Sequence, residues 1–446
     1  MAGGTWTSQN KVRPGVYMRF RSTGSASLTV GDRGTAAICR PLSWGPVGQV
    51  MTIEAGANTA PFTGYDVTTP QSRFLREMFK GTNRTPAPKR VLLYRPAAAD
   101  SAVAAVTVGT LTVTARYPGV RGNDLAVAVT ESETNEGRFI VTTIIDGDVA
   151  DQQVVAAADE LTANDWVTFT GAGALTATTG QPLTGGADGM VQASAYTAFL
   201  EAIEPHRFDI LIYDGEDAAV RDSMIAFVKR LVNDSGRYCQ LVASGLTNPD
   251  SHYVIDIESG VVLDDGTTLT PREATWWFGG AQAGAPYNKS LTYATYPNAV
   301  NVTPLRSDAQ IADATAKGQV VLFADDGIVR VEQDVNTLVT YSPETGKPFR
   351  KNRVMRLCNT IGNDLWAQFT QNYIGVVDND EDGRRQFKRA VVGYMLDLQA
   401  NHGIQNFSAD DVTVEPGEEI DAIVVTIGIQ PVDSVEKIYL TVIMQA

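Results

Sequence analysis

Histidine and cysteine are scarce in this chain, with three of each among 446 residues. His206, His252 and His402 lie far apart, and none has a second ligand at helical spacing. A histidine-based metal site or catalytic base is therefore not indicated. Cys39, Cys239 and Cys358 form no CxxC pair and are odd in number, which excludes a disulfide framework. They read as buried thiols of a protein that folds in a reducing cytosol. No apolar run reaches the ~18 residues that a membrane span needs, and the first residues show no apolar signal-peptide core. Synthesis and folding in the cytoplasm are expected, without membrane insertion. Basic residues are outnumbered, 36 Lys and Arg against 51 Asp and Glu, for a formal net charge of −15. That balance argues against direct nucleic-acid binding, which needs a broad basic surface.

The motifs of common enzymes are missing as well. There is no GxSxG, P-loop, HExxH or GxGxxG. Asp378, Asp380, Asp382 and Gly383 match the opening of a calcium loop, but its twelfth position falls on Arg389, which cannot ligate a cation. A polar turn between helices explains the cluster better. Asp214-Gly215 ends a strand where α/β folds often bind ligands, yet the loop lacks glycines for a phosphate. Trp276 and Trp277, adjacent on a helix, suit a core or a subunit contact. No catalytic residue, metal or cofactor is expected, and the chain reads as a non-enzyme.

What is present points to a multi-domain α/β (α+β) protein: a mixed-sheet core with an inserted all-β domain and extended strand arms at both ends. Residues 1–25 read as an N-terminal arm, with Val16, Met18 and Phe20 alternating with Tyr17, Arg19 and Arg21. Residues 26–97 form the first part of the core, with Thr69 and Pro70 at the start of a helix. Residues 98–188 turn rich in Thr, Ala, Val and Gly, with alternating strands and an Asp146-Gly147 hairpin signal. Residues 189–345 resume the α/β rhythm, with a helix at about 218–233 and a Ser307/Gln310 capping box. A hairpin around Asp325-Asp326-Gly327 is expected between strands 319–324 and 328–332. Residues 346–446 give helices at about 350–373 and 384–401, then strands 420–429 and 435–444.

Several segments resemble contractile phage tail sheath proteins, in the lineage of Gram-positive myophages, defective prophages and phage-tail-like bacteriocins. They are Arg13-Pro14-Gly15-Val16-Tyr17, the run Tyr117 to Leu125, Asn288-Lys289-Ser290-Leu291-Thr292-Tyr293, Val335-Asn336-Thr337-Leu338, and the run Ile429 to Tyr439. Each is weak alone, but they fall in order along nearly the whole chain. The resemblance implies a homo-oligomer of hexameric rings stacked helically around a tail tube protein, with baseplate and tail terminator proteins as further partners. It implies a sleeve that contracts to drive the tube through a cell envelope, and a place in a virion tail or phage-tail-like particle. It also implies that 346–446 lies inside against the tube and 98–188 outside. The rival reading is a β-rich receptor-binding or surface structural protein of a virion, for which 98–188 would suit.

Two sets of residues stand out as candidate contacts. Val16, Tyr17, Met18 and Phe20 at one end and Ile438, Tyr439, Leu440 and Val442 at the other alternate as strands that cannot bury their apolar faces alone. Exchange of these strands between subunits is expected, with pairing inside one chain as the alternative. Arg350, Arg353 and Arg356 recur at three-residue spacing with Lys351 beside them, which puts a basic face on one helix. Under the resemblance that face would grip the tube; otherwise it is solvated. Arg384, Arg385, Lys388 and Arg389 on the next helix are the second choice.

Overall fold

The computed structural model describes residues 2–4, 15–17, 31 and 33–444. The chain makes two compact units, Met1–Val30 with Asp364–Pro431, and Gly31–Asn363 with Val432–Ala446.

The larger unit is built on a seven-stranded sheet. Its strands run in the order Gln319–Val320, Val254–Ile257, Gln240–Ala243, Ile210–Ile212, Thr35–Cys39, Arg90–Tyr94 and Val50–Glu54. All neighbours are parallel except the last, an antiparallel edge. Both faces are covered, as a parallel sheet requires. Ala36 and Ile38 point to one side, where Trp276, Trp277 and Phe278 of the Pro271–Gly284 helix pack with Phe74 and Leu75. Ala37 and Cys39 point to the other, against Phe199 and Ile203 of Ala193–Ile203 and Met224 and Phe227 of Ala218–Asn233.

Local signals account for much of this. Thr270 and Glu273 form a capping box with Pro271 at the first turn, and Ser307 with Gln310 forms another. Asp217 caps Ala218–Asn233 by accepting from Ala219 N at 2.8 Å. Gly280 lets the Pro271–Gly284 helix approach closely: a Cβ there would lie 2.1 Å from the Met78 carbonyl oxygen. The adjacent tryptophans are core residues with different partners. Trp277 stacks on Tyr296 at 4.0 Å and donates to the Gly81 carbonyl at 2.8 Å. Trp276 donates to Asp214 at 2.7 Å, and Arg40 lies over its ring.

Between the core segments stands a β-sandwich. One sheet orders Asp148–Val155, Phe139–Ile145, Leu125–Glu131 and Thr178–Pro182; the other orders Val167–Thr170, Leu111–Ala115 and Ala105–Val108. Asp146 and Gly147 both take positive φ, as a two-residue hairpin demands. The sandwich core is not self-contained. Trp44 from the body is fully buried in it, 5.2 Å from Trp166 and edge-on to Tyr117 at 5.3 Å.

One strand differs from expectation. The segment 319–324 splits, with Gln319–Val320 joining the seven-stranded sheet and Leu322–Asp325 pairing with Ile328–Val331. The hairpin turn is Asp326-Gly327, both at positive φ.

Candidate assembly interface

Two helices, Asn352–Asn372 and Glu381–Ala400, dominate the last hundred residues. The Asp-rich turn between them has a local purpose. Asp380 is the N-cap of the second helix and accepts from Gly383 N at 2.7 Å. In the smaller unit, Phe369 and Phe387 meet at 4.3 Å and Tyr373 stands edge-on to Phe387 at 5.1 Å. These rings, with Ile423 and Val425, line a cleft of 580 Å³. The Tyr373 side chain is buried, and its hydroxyl has no hydrogen-bond partner among the described residues.

Ile423 and Val425 lie on an antiparallel hairpin, Val412–Pro416 with Ile423–Ile427. Asn379 anchors its turn by donating to the carbonyls of Ile420 and Ala422 at 2.8 and 2.9 Å. Each strand of this hairpin is paired on one side only among the described residues. Two strands alone are marginally stable, and such open edges are templates for another strand.

The chain's end carries a candidate for that role. Residues 432–436 are held against the larger unit, after which 437–444 have no backbone hydrogen bond among the described residues. The expected strand 435–444 is therefore corrected: the segment alternates as a strand but has no ladder partner among the described residues. Ile438, Tyr439, Leu440 and Val442 are all between 76% and 90% exposed. At the other end, Gly15–Tyr17 pairs in parallel with Ala2–Gly4, placing Val16 opposite Gly3 and Tyr17 opposite Gly4. Met18 and Phe20 lie outside the described residues.

The basic helix face needs a larger correction. Arg356 is fully buried and pairs with Asp334 at 2.8 Å. Arg353 is 8% exposed and donates to Ser434 at 2.9 Å. Arg350 donates to the Thr315 carbonyl, and Lys351 pairs with Glu436. The three-residue spacing does put them on one face, but that face looks into the larger unit. On Glu381–Ala400, Arg385 pairs with Glu381 and Asp382. Arg389 is exposed and Lys388 half-buried, and neither has an ion-pair partner among the described residues.

The cysteines offer no reactive thiol. Burial raises the pKa of Cys39 and Cys239 well above the ordinary range, and that of Cys358 to about 11.

A layered α/β body carries an inserted sandwich and, at 437–444, an exposed apolar run without a ladder partner among the described residues. Comparison with known proteins gives the family. The phage tail sheath protein central domain matches residues 189–337, the phage tail sheath C-terminal domain 344–445, and the phage tail sheath protein beta-sandwich domain 97–188. The tail sheath protein Gp18 domain III N-terminal region matches 33–95. A sheath tail protein from Desulfitobacterium hafniense is 41% identical, with 96% of this chain and 99% of that one covered at a TM-score of 0.86. The phage-like element PBSX protein XkdK of Bacillus subtilis is 33% identical, with 99% of each chain covered. The helical sheath of the anti-feeding prophage in its contracted state is 13% identical and shares the fold, at a TM-score of 0.59 over 98% of this chain and 100% of that one. The chain belongs to the phage tail sheath protein family. It is a tail sheath subunit, and so a component of a virion tail or phage-tail-like particle.

Proposed function

We propose that this subunit polymerises into a contractile sleeve by lending its terminal strands to neighbouring copies. The observation that carries this is the run 437–444, which alternates as a strand, exposes its apolar side chains and has no ladder partner among the described residues. Its recipient is the open edge of the Val412–Pro416/Ile423–Ile427 hairpin of another copy. Main-chain hydrogen bonds would supply most of the affinity, as in strand addition. Charge favours the N-terminal arm as a second donor strand: Lys11, Arg13, Arg19 and Arg21 oppose Glu415, Glu418, Glu419 and Asp421. Exposed pairs contribute only ~0.2–1 kcal/mol each, so they set register more than affinity.

In this reading the subunits form hexameric rings stacked helically around a tail tube protein. Baseplate and tail terminator proteins close the two ends, and assembly takes place in the host cytoplasm. The segment 346–446 faces the tube and 98–188 faces outward. The subunit is mechanical and not catalytic, binds no nucleic acid directly and inserts in no membrane. With the first basic face turned inward, Lys388 and Arg389 become the residues that meet the tube.

Deleting residues 1–21, or residues 438–446, tests the reading. Each truncated protein should stay soluble with a circular dichroism spectrum close to the parent and form no tubes by negative-stain microscopy. Normal sheaths from both would sink the exchange.

A further inference from the structure

The terminal strand does not simply hang from the body; it starts at a fixed point. Glu436 is the last residue with a partner among the described residues. Its Oε1 accepts from Thr292 Oγ1 at 2.9 Å, and its Oε2 accepts from Gln333 Nε2 at 2.6 Å and pairs with Lys351 Nζ. The Glu436 side chain is 11% exposed, whereas Ile438, two residues on, is 82% exposed. Two further ties precede it, Asp433 to Lys351 at 3.9 Å and Ser434 to Arg353 at 2.9 Å.

The groups that hold Glu436 are themselves anchored. Thr292 Oγ1 accepts from Asp334 N at 3.0 Å, and Gln333 immediately precedes Asp334 in the chain. Asp334 is in turn locked to Arg356. Three separate segments thus converge on one carboxylate: the stretch after the Pro271–Gly284 helix, the stretch after Ile328–Val331, and the entry to Asn352–Asn372. Charge-assisted bonds of this kind are the stronger ones, and they sit where an otherwise unheld strand begins.

We propose that Glu436 is a positioning residue, a clamp that fixes where and in which direction residues 438–444 leave the body, so that they enter a second copy of this chain in one register. The proposal rests on the strand-exchange reading above.

Lys437, exposed and next to the clamp, makes it measurable. A protease needs several residues of undocked chain around the bond it cuts, so trypsin should cut slowly after Lys437 in the unassembled full-length protein. In Glu436→Ala that cut should become about tenfold faster, the shift expected when a charge-assisted bond is lost. Thermal unfolding should stay close to the parent, because the residues released have no partner beyond the clamp. Sheaths should lose regular helical order under the microscope, and Glu436→Gln, which keeps the shape and part of the hydrogen bonding, should fall between. Should Glu436→Ala fail to accumulate, Gln333→Leu and Lys351→Met loosen the same contact from the body side and should give the same two readouts. Parent-rate cleavage, or parent-like sheaths from Glu436→Ala while the 438–446 deletion makes none, removes the clamp and leaves strand exchange standing. Normal sheaths from the 438–446 deletion remove the tail's exchange and the clamp with it.

Discussion

Arg356 and Asp334 meet at 2.8 Å inside the larger unit, with side chains 0% and 1% exposed. Arg356 also donates to Gln282 and to the Lys289 carbonyl, while Asp334 accepts from Gln282 at 2.6 Å and from Asn352 at 2.9 Å. Losing one member of such a pair leaves an uncompensated buried charge, which costs about 3–5 kcal/mol. Arg356→Ala should therefore unfold at a markedly lower temperature in a calorimeter. A change of under ~1 kcal/mol would mean that solvent reaches the pair.

Burial alone would push the Asp334 carboxyl up, but Arg356, the Leu291 N–H and Asn352 outweigh it and leave its pKa below the usual range. A carboxyl depressed in the fold stabilises it above its unfolded value, near 3.9, and loses that contribution as pH falls through the folded value. The parent should weaken in this acid window. Asp334→Asn should be less stable at neutral pH and show a shallower decline below about pH 4 in thermal melts.

Asp256 has the opposite sign. It is 2% exposed, and burial first, then Glu258, raises its pKa to about 7, against hydrogen bonds from Gln319, Leu246 and Gly245. A carboxyl raised in the fold contributes most below its unfolded value, and the contribution is lost as pH rises from about 4 to about 7. Asp256→Asn should raise the thermal midpoint most at pH 8 and little at pH 5, flattening the profile between. Parallel profiles for parent and variant would place the titration elsewhere.

How far the sequence foretold this fold depends on how far apart the interacting residues lie. The capping box at Ser307/Gln310 and the Asp146-Gly147 turn are decided within four residues, so they were legible. The helix 218–233 was legible because its apolar period and its Asp217 cap agree. The basic face was misjudged for the opposite reason. Spacing shows that Arg353 and Arg356 share a side, but their burial depends on Asp334, Gln282 and Ser434, whose nearness follows only from the tertiary fold. Strand 435–444 was legible as a pattern and is absent as a strand, because it finds no ladder neighbour among the described residues. The Glu436 clamp left no sequence signal: one acid among many, with partners 85 to 144 residues away.

Trp44 sets the condition under which the β-sandwich can be removed. Replacing residues 98–188 by a Gly/Ser linker strips Trp44 of Trp166 and Tyr117 and leaves a large apolar face in water. It also removes the Arg121 side chain that donates to the Gly64 carbonyl at 2.8 Å. The deletion alone should lower soluble yield, and adding Trp44→Ser should restore it and give a protein that still polymerises. A soluble double variant that never polymerises would show that the sandwich braces neighbouring subunits.

The clamp at Glu436 also imposes a length. From Glu436 to Val442, the last of the proposed exchange residues, the six intervening steps drawn fully straight reach no more than about 20–22 Å at the extension of the backbone. With its root fixed on a rigid body, the tail acts as a tether of known maximum extension. Whatever path neighbouring subunits follow as the sleeve shortens, the receiving edge has to remain inside that radius of the donor's Glu436. In the proposed exchange, those six residues bound how far two subunits can part before the lattice tears.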